Sequence, residues 1–211
     1  MKENYLTIKT DGSYTEIIKK SEFICSIKRT NNEQEANDFI EEISHKHSKA
    51  THNCYAYLLG MRDEIQRASD NGEPSGTAGV PILNALKQNK IHNITAVVTR
   101  YFGGIKLGTG GLIRAYNGTT ANAIKQIGIV NRVVMNQVSF NLSYADFEKA
   151  KYFLEQHQIP IDNVNYAENV VVTILLAKNN INEFHQQFKE YFNKPIELRI
   201  GKESYADVEV K

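Results

Sequence analysis

Five glycines within nine residues, Gly103, Gly104, Gly108, Gly110 and Gly111, separate a β-branched apolar run from a segment of helical length. Few local folds satisfy that order. Ile94 to Val98 reads as a buried strand and Leu112 to Ile127 as a helix with small packing residues, so the element is strand, glycine loop, helix. Glycine lets the loop turn tightly and approach a ligand without a Cβ, and Thr109 stands where a helix cap is expected. A helix start of that kind draws anions, and Arg100, Tyr101, Lys106 and Arg114 surround it.

The spacing disfavours the familiar nucleotide cradles. No Gly-Lys-Ser or Gly-Lys-Thr closes the loop, and the next acid downstream is Asp146, too far away to be the ribose-binding carboxylate of a dinucleotide fingerprint. The charge around the loop is of one sign. From Pro74 through Ala145 there is no Asp or Glu, while Lys87, Lys90, Arg100, Lys106, Arg114, Lys125 and Arg132 all fall there. That window carries +7 in a chain whose net charge is +1. A buried core that happens to lack acids is the plainer explanation; a surface kept free of negative charge to meet phosphates is the sharper one.

A chain of 211 residues holds one large domain or two small ones. It has no apolar run of about 18 residues, so no membrane contact is expected. The polar start Met1-Lys2-Glu3-Asn4 lacks the apolar segment of a secretory signal, which points to the cytoplasm. Cys25 and Cys54 read as reduced thiols.

In order, Tyr5 to Thr10 and Tyr14 to Lys20 read as strands joined in a hairpin across Asp11-Gly12, followed by a strand from Phe23 to Lys28. Thr30 with Glu33 makes a capping-box pattern before a helix whose Ala36, Phe39, Ile40 and Ile43 share a face. Cys54 to Leu59 is a strand, the polar segment from Arg67 to Gly79 a loop, and a short helix carries Ile82, Leu83 and Leu86. After Gly128, strands at Val133 to Leu142, Ile161 to Tyr166, Val170 to Ala177 and Ile196 to Ile200 alternate with helices at Ser143 to His157 and Asn180 to Phe192. That βαββαβ order is ferredoxin-like. Beyond Val130, nine Lys or Arg stand against eleven Asp or Glu, a net −2, so the basic half is the one with the glycine loop. The domains expected are therefore residues 1–130 and 131–211.

Arg100-Tyr101-Phe102-Gly103-Gly104-Ile105-Lys106-Leu107-Gly108, preceded by Gly79-Val80-Pro81-Ile82-Leu83, resembles the signature of the IMPACT family. Ala50 to Tyr57 and Asp70 to Gly79 resemble two further segments of that family, with one departure at Asn71, where the family carries a second acid. The resemblance implies an α+β fold of two domains. The first is similar to ribosomal protein S5 domain 2 and elongation factor G domain IV. The second, ferredoxin-like, is similar to domain V of that factor. It also implies a link to translation. Eukaryotic members act in translational control through protein contacts with the machinery that senses amino-acid starvation, although they carry a different accessory domain.

The residues suggest an anion site made of the Gly108 to Gly111 amides with Arg100, Lys106 and Arg114. Of the adjacent aromatics, Phe102 is expected inside the core and Tyr101 outside, where it can stack on bases. His52 and Cys54 face one side of a strand, a geometry open to a thiolate with its base, to a metal site with His45 or His47, or to a buried thiol. No zinc spacing is present and no cofactor is expected. Asp70, Glu73, Ser75 and Thr77 are expected to line one cleft with the glycine loop, with Glu73 paired to Arg100 or Arg114.

Two functions follow. One is a non-catalytic module that binds RNA or the ribosome through the basic surface, with the C-terminal domain available to a protein partner. The other is an enzyme acting on a small phosphorylated or anionic substrate in that cleft. No complete catalytic set can be assembled, which favours the first. An open convex patch of Arg100, Lys106 and Arg114 would mark the binding module, and a closed pocket with a titratable pair would mark the enzyme.

Overall fold

A computed structural model describes residues 3–210. The chain divides into two compact units whose main bodies are Tyr5–Asn131 and Arg132–Asp207. The first contains β1 (Tyr5–Ile8), β2 (Gly12–Ile18), β3 (Ser21–Arg29), α1 (Glu33–Lys46), β4 (His52–Leu59), β5 (Ile65–Ser69), α2 (Gly79–Gln88), β6 (Ile94–Tyr101) and α3 (Thr109–Ile127). Its sheet has the order β2-β3-β6-β4-β5, with every neighbouring pair antiparallel.

The apolar run singled out in the sequence is the central strand β6, buried from Ile94 to Arg100 because helices cover both faces. Ala96 and Val98 face Ile82, Leu86, Leu112 and Tyr116 on one side, while Val97 meets Phe39 and Ile43 of α1 on the other. Strand alternation thus sends successive β6 side chains into two different cores.

Three local expectations need correction. Among the described residues β2 pairs with β3 alone and no β1–β2 hairpin forms. Asp11, assigned to a turn, instead accepts a hydrogen bond from the Arg29 amide, and the Arg29 guanidinium donates to the carbonyls of Ile8 and Lys9, which fastens that corner to the end of β3. The α1 cap is Asn32, whose side chain accepts from the Glu35 amide, while Thr30 bonds Thr95. Finally, Arg67 to Ser69 belong to the edge strand β5.

The second unit contains most of β7 (Ile129–Leu142), then α4 (Tyr144–Gln156), β8 (Ile161–Tyr166), β9 (Val170–Ala177), α5 (Ile181–Phe192) and most of β10 (Arg199–Glu209). The strand order β10-β7-β9-β8 is the ferredoxin-like arrangement. Val170, Val172, Ile174 and Leu176 of β9 point inward, under Phe147, Ala150 and Leu154 of α4 and Phe184 and Phe188 of α5. The closing strand starts at Arg199, later than the run from Ile196 suggested, because Ile196 is drawn into the core.

Candidate anion cleft at the amino end of α3

The antiparallel register lays two rows across the middle of the first sheet. Cys25, Val98 and Cys54 form the inner row, and Phe23, Arg100 and His52 form the next, on the face covered by α2 and α3. The apolar layer thus ends at a cation and an imidazole. Above them opens a cleft of about 440 Å³, lined by Arg100 itself, by Thr51 and His52 at the start of β4, by Glu73 and Pro74 from the Asp70 to Gly79 loop, and by Phe102, Lys106, Leu107, Gly108, Thr109 and Leu112 around the glycine loop. The two loops share one cleft.

Arg100 is only 5% exposed and Glu73 8%. Arg100 Nη1 donates to Glu73 Oε1 at 2.6 Å, and the Tyr116 hydroxyl donates to the same oxygen at 2.8 Å. Arg100 Nη2 reaches Ser21 Oγ at 3.4 Å, its guanidinium lies over the rings of Phe23 and Phe102, and its buried Nε has no hydrogen-bond partner. Arg100 therefore builds the floor of the cleft and is not a surface contact, which corrects the picture of three cations on one open patch. Lys106 is exposed at the rim of the same cleft, while Arg114 is exposed along α3 in a separate depression.

His52 Nδ1 lies 3.0 Å from the Asn71 carbonyl, which can only accept, so the proton sits on Nδ1. That leaves Nε2 facing Glu73 Oε2 at 3.8 Å. Cys54 is held in its thiol form. Its thiol donates to the Asp70 carbonyl at 2.8 Å, and burial pushes its pKa up to about 12. Burial does the same to Cys25, also to about 12. The Tyr116 hydroxyl is likewise raised, by burial first and then by Cys54 and Glu73.

Asp70, Ser75 and Thr77 do not line the cleft. The Asp70 carboxylate accepts from the amides of Gly76, Ala78 and Gly79, so it ties the loop and caps α2 from a distance. Thr77 is buried and donates to the Pro74 carbonyl, and Ser75 is exposed. Turn formers that looked like ligand groups are spent on holding the loop that inserts Glu73. Burial raises the Asp70 carboxyl, but the three amides outweigh it and hold its pKa below the ordinary 3.8. Its contribution is thus present above that value and lost as pH falls through the lower folded value. Asp70→Ala should cost about 1 kcal/mol at neutral pH. Urea unfolding of both proteins should show this difference shrinking only on the acid side of 3.8.

The glycine loop serves two purposes. At Gly103 a Cβ would lie 1.9 Å from the Lys20 carbonyl oxygen, so only glycine fits against the β2–β3 turn. Gly108, at φ 72°, is the N-cap of α3, displacing Thr109 into the first helical position. No side chain caps α3 and no acid lies in its first turn. Its first amides have no intrahelical acceptors, and Gly108, Thr109 and Leu112 line the cleft.

The aromatic assignment is reversed. Phe102 is 47% exposed on the cleft wall, whereas Tyr101 is half-buried, with His47 Nδ1 3.0 Å from its hydroxyl. The strand ends at Tyr101, so Phe102 escapes the alternation that would have buried it. Sequence reasoning also missed Lys19 and Lys20, both exposed, which form the two-residue β2–β3 turn with φ of 44° and 66°. Left-handed backbone costs a side-chain-bearing residue about 1–2 kcal/mol. Among the described residues no group of three His, Cys, Asp or Glu could hold a metal, and no helix is long and apolar enough to cross a membrane.

An α/β unit with a cationic cleft, followed in the chain by a ferredoxin-like unit, defines the class of protein. Residues 19–124 match the Impact N-terminal domain, and residues 140–193 match a domain of unknown function, DUF1949. The chain belongs to the IMPACT family. It is 41% identical to the IMPACT family member YvyE of Bacillus subtilis, over 98% of this chain and 95% of that one. It is 33% identical to the IMPACT family member YigZ of Escherichia coli, over 93% and 97%. A crystal structure described as a hypothetical protein superposes with a TM-score of 0.61 at 31% identity, covering 96% of this chain and 98% of that one.

Proposed function

We propose that the protein is a non-catalytic RNA-binding module that acts in translation or its regulation, engaging ribosomal or other RNA through the cleft at the amino end of α3. The open patch of Arg100, Lys106 and Arg114 that would have marked such a module does not form, and a different observation carries this reading. An uncapped helix start, the exposed Lys106 and the exposed Phe102 ring converge on a single cleft that no acidic side chain of the glycine-loop segment enters. The amides and Lys106 suit a phosphate, and Phe102 suits a base stacked beside it. Glu73, the one carboxylate in the cleft wall, is committed to Arg100 and Tyr116. The C-terminal domain is then free to meet a protein partner.

Co-sedimentation with ribosomes across ionic strength tests the proposal. Association should weaken steeply with salt, and Lys106→Ala should lower the slope of log affinity against log salt by about one. Phe102→Ala should cost about 1–3 kcal/mol of binding. Association unchanged by either substitution would overturn it.

A second reading, catalysis on a small anionic substrate, draws on His52, whose Nε2 faces the cleft-lining Glu73. A mononucleotide that displaced long RNA at equal affinity and lost that affinity in His52→Ala would favour it.

A further inference from the structure

We propose that the β2–β3 turn is a second phosphate-contacting element, so that one single strand of RNA runs from the cleft across Leu107 to Lys19, Lys20 and Arg114. This extends the RNA reading above and rests on it.

The turn is the starting point. Ile18 pairs with Ser21, so Lys19 and Lys20 alone make the connection, and both adopt the left-handed conformation that such turns normally give to Asn-Gly. Both are exposed. A turn shaped for stability alone would not place two lysines there; two cations presented at a fixed position are what the strain secures. The position is fixed by the glycine loop, because the Lys20 carbonyl lies where a Gly103 Cβ would be and the Gly103 amide donates to Ser21 Oγ at 3.2 Å.

A depression of about 210 Å³, lined by Ile18, Lys19, Leu107, Gly111 and Arg114, lies beside the turn. Leu107 also lines the anion cleft, so the two cavities adjoin across one side chain. Lys19, Lys20, Lys106 and Arg114 form no ion pair among the described residues. Of the nearby acids, Glu16 is held by Thr119 and Asn122, and Glu22 acts on His47, beyond the opposite face of the sheet. Lys106 at one cavity, Lys19 and Arg114 at the adjoining one, and Lys20 next to Lys19 in the turn match successive phosphates of a bendable strand, with the bases left free for Phe102. A duplex is too stiff to enter both.

The test uses the full chain and a fluorescent oligouridylate of about 12 nucleotides, within the site size of single-strand grooves. Lys19→Asn with Lys20→Gly relieves the backbone while deleting the charges. The expected result is a higher unfolding temperature together with weaker binding, the salt slope falling by about 0.7 for each lysine in contact with a single strand. Arg114→Ala, an exposed change on α3, should lower the slope in the same way. Full binding by both variants, with binding lost in Lys106→Ala, would overturn the extended track and leave the cleft reading intact. Full binding by all three would overturn both.

Discussion

Glu73→Ala is expected to destabilise the Tyr5–Asn131 unit by about 3–5 kcal/mol, the range for stranding one partner of a buried ion pair. Arg100 would be left 5% exposed between Phe23 and Phe102 without its counter-charge, and Tyr116 would lose its acceptor as well. The pair as a whole need not stabilise the fold, since both charges were dehydrated to form it. Adding Arg100→Met should therefore recover much of the loss. Urea unfolding of the single and double variants measures this. A cost below about 1 kcal/mol for Glu73→Ala would mean that the pair behaves like a solvated one.

The other large effect lies in the ferredoxin-like unit. Phe188 is fully buried, with ring centroids 4.8 Å from Phe140, 5.0 Å from Phe184, 5.1 Å from Phe153 and 4.9 Å from Phe192. Phe188→Ala removes the ring common to all four contacts, and a buried Phe to Ala change costs about 3–5 kcal/mol. Amide hydrogen exchange is the informative measurement, because a chain of two units need not unfold in one step. Protection should fall across Arg132–Asp207 and persist in the central strand β6. Equal loss in both would show a single cooperative unit.

The strand at Val170 to Ala177 and the helix at Asn180 to Phe192 were legible and stand as β9 and α5, because apolar runs and helical spacing are local patterns that burial enforces. The candidate site was only partly legible. Asp70, Ser75 and Thr77 have the chemistry of ligands, but their backbone surroundings decide their use, and hydrogen bonds to amides six to nine residues away leave no periodic trace. Phe102 was misplaced by continuing a strand past its last residue. Lys19 and Lys20 carry no turn signal at all, since Lys-Lys is not a turn-forming pair. A capping motif was placed two residues too early because Thr30, Asn32, Glu33 and Glu35 offer overlapping patterns, and it is Asn32, with an extended backbone, whose side chain accepts from the Glu35 amide.

The strand, glycine loop and helix order, the exclusion of acids from Pro74 to Ala145 and the βαββαβ order were all determined by the sequence by itself, since each depends on residues near one another in the chain. Only the tertiary structure decided what the cations do. Arg100 and Lys106 are six residues apart and chemically alike, yet one is buried against Glu73 and the other faces solvent. The reason is register: β6 lies between β3 and β4, which puts Arg100 beside Phe23 and His52 under α3, while Lys106 lies beyond the last paired residue. The same register brings the β2–β3 turn against Gly103, an adjacency between residues more than eighty positions apart that no local pattern encodes.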